Sequence, residues 1–478
     1  MKKIGNRLTQ IAKAACMTEN VRNLFTRIST MAPIKYALGS FLVLGFSALV
    51  FGMDGSGSNC DCNPTQVIVQ LNTPADLAAV AAQYRLDPMP IGQLGSPAFY
   101  LLQITDGQSP DRVVSAMAGD LRIKNAEVNR VFSNPEVQGL SWTQGRSWAI
   151  GRSWAIGEGA TAYATQWFPQ RIHLNEAFTV ARTRGLRTDN GRPVVVAVLD
   201  TGIDLNHPAF VGRLVDPSAQ WDFVDGDWDP SEVGVLGDDP AYGHGTHVAG
   251  IIAMTVPDAK IMPIRILDRD GSGELWRITG GLIWAANHGA DVANLSIGYP
   301  ERSNIIKDFL ESADGGVAAD GTTFGEMEGH RLAVVAASGN GGNRDLVFPA
   351  AENLGGLLSV GASTSTDVLA IFSSYDRNWV KVTAPGEEIV STLPGNNYGV
   401  WSGTSMAAPI ASGIAALLKA QYPRRNPFSS PAILLSRIRQ TSVIKHFSNF
   451  GTWGSVDLNR VDALCAVTNN THCPIPLN

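Results

Sequence analysis

Four residues of this chain carry the side chains that acyl transfer requires, and each lies at the end of an apolar run or beside glycine. Asp200 closes VVVAVLD (194–200), His244 sits in GHGTHVAGIIA, Asn340 in AASGNGGN and Ser405 in GTSMAAP. Singly, each has a bland role: a turn aspartate, a structural histidine, an asparagine in a glycine loop with left-handed backbone. Together they supply an acid, a base, an amide donor for a carbonyl oxygen and a hydroxyl nucleophile. Their order is acid, histidine, serine, whereas α/β-hydrolases run serine, acid, histidine around G-x-S-x-G. No cysteine falls between 63 and 464, which argues against a cysteine nucleophile.

The elements that must hold these residues can be read from the apolar pattern. VVVAVLD, KIMPIRIL (260–267), DVANLSI (291–297), LAVVAAS (332–338) and LLSVGA (357–362) are β-rich, with helical stretches such as THVAGIIAM (246–254) and LWRITGGLIWAANHG (275–289) between them. Strands apolar on both faces and separated by helices predict a parallel sheet covered on both sides. Sites in such sheets form at the carboxyl ends of the strands. Ser405 opens a helix of small residues, GTSMAAPIASGIAALL (403–418). Unpaired N–H groups and the helix dipole there favour negative charge. Pro409 has no N–H, so the Ser405 carbonyl loses its partner four residues on, and the sequence names no replacement.

VAVLDTGID, GHGTHVAG and GTSMAAP, in that order, resemble the three signature segments of the subtilisin-like serine proteases (subtilases, peptidase family S8). The resemblance covers about 163–462, including the closing GSVDLNRVDAL. It implies a three-layer α/β fold, with a mostly parallel sheet between helices, and a serine endopeptidase acting on protein or peptide substrates through an acyl-enzyme. Carried onto these positions, Ser405 is the expected nucleophile, His244 the base and Asp200 the residue that fixes the imidazole tautomer. Asn340 and the Ser405 N–H are the expected oxyanion hole. Gly271, Ser272 and Gly273, with Leu295, Ser296 and Gly298, are expected to pair with an extended substrate. Ala337, Ser338, Gly339 and Val347 should line the pocket for the residue preceding the cut. Val347 stands where the family often has glycine, so a shortened pocket is expected. Catalysis is expected to need no cofactor. The rival reading, a degenerate binding scaffold of the same fold, predicts loss of a triad member, and none is lost.

Two further features invite metal readings. His244 and His247 form H-x-x-H, but no third ligand follows in the helix, and we expect His247 to pack against the sheet. The loop 221–239 carries Asp222, Asp225, Asp227 and Asp229, which could hold a structural calcium ion; a solvated loop is the reading we favour. The stretch 308–330 reads as a surface insertion.

The whole chain has 478 residues and a net charge of −6, but residues 1–52 balance at +6 and the remainder at −12. An acidic body argues against a nucleic-acid surface. The uncharged run 36–51 follows Lys35, as in an export signal (1–52); a retained membrane anchor is the alternative. After a polar linker (53–65), residues 66–137 alternate as βαββαβ, an α+β ferredoxin-like unit. In pattern and position that unit is similar to the inhibitory propeptide of subtilases. A connector (138–162) repeats GRSWAI at 145–150 and 151–156, the expected place of self-cleavage. The catalytic domain is expected over 163–462 and a tail over 463–478. An exported compartment permits a Cys465–Cys473 bridge; two thiols are the alternative.

Overall fold

The computed structural model describes residues 62–94, 99–133, 159–181, 183–187, 191–235, 238–314, 331–421, 430–447 and 456–471. The apolar run 36–51, the GRSWAI repeats, Cys60 and Cys473 lie outside them, as do 315–330 of the expected insertion and 472–478 of the expected tail.

The first described unit is βαββαβ, as expected: β1 (Cys62–Leu71), α1 (Leu77–Tyr84), β2 (Gly92–Leu94), β3 (Phe99–Gln103), α2 (Pro110–Met117) and β4 (Ile123–Ser133). The alternation of β1 explains its two-sided packing. Val67, Val69 and Leu71 pack in a cluster with Val80, Ala81, Val113 and Met117 of the two helices. Ile68, with Phe99 and Leu101 of β3, belongs instead to a core shared with the larger body. β1 begins at Cys62, so the last residues of the expected linker are strand.

The body contains α3 (Gly159–Thr165), α4 (Leu174–Ala181), β5 (Val195–Asp200), β6 (Trp221–Asp222) and α5 (His244–Thr255), then β7 (Lys260–Arg265), β8 (Ser272–Glu274), α6 (Leu275–Asn287) and β9 (Val292–Leu295). Next come α7 (Asn304–Ala313), β10 (Ala333–Ala337), β11 (Leu357–Ser363), β12 (Val382–Pro385), β13 (Ile389–Leu393), β14 (Asn397–Trp401) and α8 (Thr404–Gln421). α9 (Pro431–Gln440), β15 (Val443–Phe447), β16 (Val456–Arg460) and α10 (Ala463–Thr468) close it. A nine-stranded sheet runs β15-β16-β12-β11-β10-β9-β5-β7-β6 and is parallel except for the β15–β16 pair. Val196 and Val198 of β5 face one core with α5 and α8, whereas Val195, Ala197 and Leu199 face another with α6 and α7. This is the three-layer α/β fold expected.

Several boundaries differ from the sequence reading. The body already begins at α3, where the Tyr163 hydroxyl donates to the Gly250 carbonyl at 2.5 Å. The stretch read as a tail contains α10, whose Ala463, Cys465, Ala466 and Val467 are buried. Cys62 and Cys465 are both disulfide-bonded. The expected insertion starts inside α7, where Phe309, Leu310 and Ala313 are core residues. Short apolar contributions to a helix are hidden when polar residues surround them, which is why composition alone misassigned these pieces. Among the described residues, no helix is long and apolar enough to cross a membrane.

Candidate active site

β5, β9 and β10 deliver their last residues to one end of the sheet, and α5 and α8 begin there. Asp200 ends β5, fully buried. His244 is the first residue of α5, which begins two residues before the helical stretch read from the sequence, and Gly243 precedes it with a φ of 97°. The His244 Nδ1 lies 2.6 Å from Asp200 Oδ1, and both residues are excluded from solvent. The same Asp200 oxygen accepts the Thr201 N–H at 2.8 Å. This close approach has a steric requirement: a Cβ on Gly245 would stand 2.0 Å from the Gly202 carbonyl oxygen.

Ser405 is buried in the first turn of α8. Its Oγ donates to the Ser296 carbonyl at 3.3 Å. The structure also supplies the missing partner of its own carbonyl: Ser296 Oγ donates to Ser405 O at 3.0 Å, replacing the N–H that Pro409 lacks. Ser296 Oγ in turn accepts from Asn294 Nδ2, and Ser412 Oγ donates to Asn294 Oδ1. Three polar side chains thus anchor α8 to the end of β9. α8 can approach α5 closely because Gly413 faces Thr255, where a Cβ would come within 2.5 Å.

Asn340 follows β10 in a glycine loop. Its Oδ1 accepts the Thr404 N–H at 2.9 Å and the Thr404 hydroxyl at 3.0 Å. Two donors on that oxygen fix the amide orientation and leave the NH2 as its donor end. Thr404, a residue the sequence reading did not single out, also receives the Gly339 N–H on its hydroxyl at 3.1 Å.

His247 is not part of this set. Its ring stacks on Trp401 with centroids 4.7 Å apart and planes 7° from parallel, and Nε2 donates to the Gly399 carbonyl at 3.2 Å. Burial lowers its pKa to about 3, so it stays neutral. It packs against the β13–β14 hairpin rather than the main sheet. Trp401 also stacks on the His244 ring at 5.9 Å.

The residues expected to contact substrate divide. Ser272 and Gly273 lie in β8, where they pair antiparallel with Ser133 and Phe132 of β4. Gly271 lies in the preceding turn, with a φ of 78°. Gly298, Gly339 and Val347 line one cavity of about 180 Å³ together with Asn340 and Ser374. Val347 fills it toward Gly339: a Cβ there would meet Val347 Cγ2 at 2.9 Å. Leu295 is corrected, because it lies inside the sheet, paired with Leu199 on one side and Ala336 on the other. Ala337 and Ser338 are buried as well. The former is in the core under α8, and the latter's hydroxyl donates to Ser374 O at 3.2 Å.

The four acidic candidates do not converge on a cation. Asp222 Oδ2 and Asp225 Oδ2 each accept from Arg265 Nη1 at 2.6 Å. Asp227 and Asp229 accept backbone N–H groups within their own turns. Among the described residues, no group of three or more His, Cys, Asp or Glu is placed to hold a metal. The acidic loop does contact the His244 helix, because Glu232, which the sequence reading passed over, accepts the Gly243 and Thr246 N–H groups at the start of α5.

The profile of the Subtilase family (Peptidase_S8) matches residues 191–454, more than half of the chain. The chain is 39% identical over 267 residues to a thermophilic serine proteinase of Bacillus sp. (strain AK1), an alignment covering 54% of this chain and 58% of that protein. It is 35% identical over 266 residues to thermitase of Thermoactinomyces vulgaris, covering 54% and 82%, and 36% identical over 290 residues to subtilisin BL of Lederbergia lenta, covering 59% and 92%. With an aspartate, a histidine and a serine held at one sheet end by the segments that family shares, the chain belongs to the subtilase family of subtilisin-like serine peptidases.

Proposed function

We propose that the chain is a serine endopeptidase, made as an exported zymogen, that hydrolyses peptide bonds through Asp200, His244 and Ser405. One observation carries the reading above the others: a solvent-excluded Asp200–His244 pair at 2.6 Å, at the sheet end where a buried serine opens a helix. In this mechanism Ser405 Oγ attacks the scissile carbonyl and passes its proton to His244. The imidazolium is stabilised by Asp200 and returns the proton to the leaving amine; water then releases the acyl group by the reverse path. The Ser405 N–H and the Asn340 NH2 stabilise the oxyanion. No cofactor takes part. Protein or peptide substrates pair as a strand with 271–273 and 296–298, and the Val347 cavity takes the residue before the cut, favouring small or medium side chains.

The N-terminal unit is the proposed intramolecular inhibitor. β4 already adds to the β8 edge that substrate would use. Its side chains also cap two helices of the body. Glu127 accepts from Ser303 Oγ and from the Asn304 and Ile305 N–H groups at the start of α7, and Asn129 Oδ1 accepts the Trp276 N–H at the start of α6. Self-cleavage within 138–162 would release it. The positive flank and apolar run 36–51 support an extracytoplasmic location.

The test is incubation of the protein with a peptide library, with and without a serine-directed phosphonate. Hydrolysis abolished by the phosphonate and by Ser405→Ala supports the reading; turnover that survives Ser405→Ala contradicts it.

A further inference from the structure

We infer that Glu232 is a positioning residue for the catalytic pair: its carboxylate ties the turn after Asp200 to the first turn of the His244 helix, and its charge acts on the His244 imidazole. The inference rests on the function proposed above. Glu232 Oε1 accepts the Gly243 N–H at 2.7 Å and the Thr201 hydroxyl; Oε2 accepts the Thr246 N–H at 3.1 Å and the Thr246 hydroxyl. Each of those hydroxyls is itself an acceptor. Thr201 Oγ1 receives the Gly245 N–H at 2.9 Å, and Thr246 Oγ1 receives the Asp204 N–H at 2.9 Å. Their hydrogens are therefore directed to Glu232, and four donors from the two turns converge on one carboxylate.

The backbone holds it there as well. Glu232 N–H donates to Ile203 O at 3.2 Å, and Ile203 N–H to Pro230 O at 3.0 Å. From Glu232 the route to the pair is short. Thr201, which donates its hydroxyl to Glu232, donates its N–H to the Asp200 oxygen that faces His244. Gly243, which donates to the other side, immediately precedes His244. A carboxylate accepts from all four donors, whereas a glutamine would turn its NH2 against at least one of them. Burial raises the Glu232 pKa to about 7, and the charge of Asp200 adds to this against the bonds from Thr201, Thr246 and Gly243. The other titratable groups facing this cluster are His244, Tyr242 and Asp204.

The experiment compares the wild-type protein, produced from the full chain, with Glu232→Gln and with Thr201→Val, the latter removing one linking hydroxyl at nearly constant shape. kcat and KM for a fluorogenic peptide are measured from pH 5 to 9, with phosphonate labelling of Ser405 as the count of active sites. Glu232→Gln is expected to lower kcat about tenfold with KM within about twofold. It should also take one ionisation out of the acid limb of kcat/KM, because Glu232, whose pKa burial raises to about 7, acts as the carboxylate and glutamine has no proton to lose. Thr201→Val should lower kcat severalfold with the acid limb in place. A Glu232→Gln protein with a lowered melting temperature but wild-type kcat and acid limb would reduce Glu232 to a structural cap and overturn the inference. If that variant does not fold, an unchanged kcat in Thr201→Val overturns it instead. Failure of the proposed function looks different: the wild-type protein itself would neither hydrolyse peptide nor take the label.

Discussion

The bond from Ser296 Oγ to the Ser405 carbonyl yields the sharpest energetic prediction, because Pro409 makes it irreplaceable. In an uninterrupted helix the residue at 409 would donate its N–H to Ser405 O; proline has none. Ser296 Oγ takes that place at 3.0 Å in a fully buried setting. Ser296→Ala leaves a buried carbonyl without a donor and deprives Asn294 Nδ2 of its acceptor. An orphaned buried polar group costs about 1–3 kcal/mol, whereas an ordinary hydrogen bond contributes about 1 kcal/mol net. Ser296→Ala should therefore lower stability by about 2–4 kcal/mol. Restoring the helical donor with Pro409→Ala should recover the carbonyl share, so the same Ser296 change would cost only about 1 kcal/mol there. The assay is a double-mutant cycle by denaturant unfolding, made in a Ser405→Ala background to suppress self-digestion. The expected coupling is about 1–3 kcal/mol. Additive effects of the two substitutions would show that the Ser405 carbonyl is not what Ser296 satisfies.

Asn340→Ala should reduce kcat by about 10²–10³ with little change in KM, the magnitude known for the corresponding amide of subtilisin; equal losses through KM alone would place the amide in ground-state binding. Val347→Gly should open the cavity toward Gly339 and shift library preference to larger residues before the cut; a wild-type profile already dominated by Phe, Tyr or Lys would contradict the shortened pocket. His247 is held neutral with a depressed pKa, so the unfolded chain binds a proton there that the fold does not. Its contribution is complete above about pH 6.5 and falls by about 1.4 kcal/mol per unit as pH drops toward 3. Unfolding curves of Ser405→Ala proteins with and without His247→Gln should diverge in slope over that window. Mass spectrometry should find the mature protein beginning between about 138 and 162, with Ser405→Ala still joined to its N-terminal unit; a variant cut at the same place would assign processing to another protease.

The sheet and the gathering of four residues at one end of it were legible because their signals are local. β5 and β10 are continuous apolar runs, and Asp200, His244, Asn340 and Ser405 sit in segments whose order and neighbours are themselves informative. What escaped was set by tertiary contact. Leu295 reads like part of the substrate edge, but its register between β5 and β10 spends its backbone inside the sheet. Asp222 and Asp225 read as solvated or calcium-binding carboxylates, and Arg265, some 40 residues away in sequence, neutralises both. Glu232 looked like one more acid in a polar loop, and only the folded path places it under α5. The Ser405 carbonyl posed a question that the sequence could state, and β9 answered it through Ser296.

The most direct measurement of the central account is a pre-steady-state trap of the acyl-enzyme. A chromogenic ester is mixed with the protein, quenched in acid within the burst and mapped by peptide mass spectrometry. The account predicts one acyl group per active site, carried on the peptide containing Ser405, with the burst abolished by Ser405→Ala and slowed by several orders of magnitude in His244→Ala. Acyl transfer to another residue, or an undiminished burst without Ser405, would contradict it.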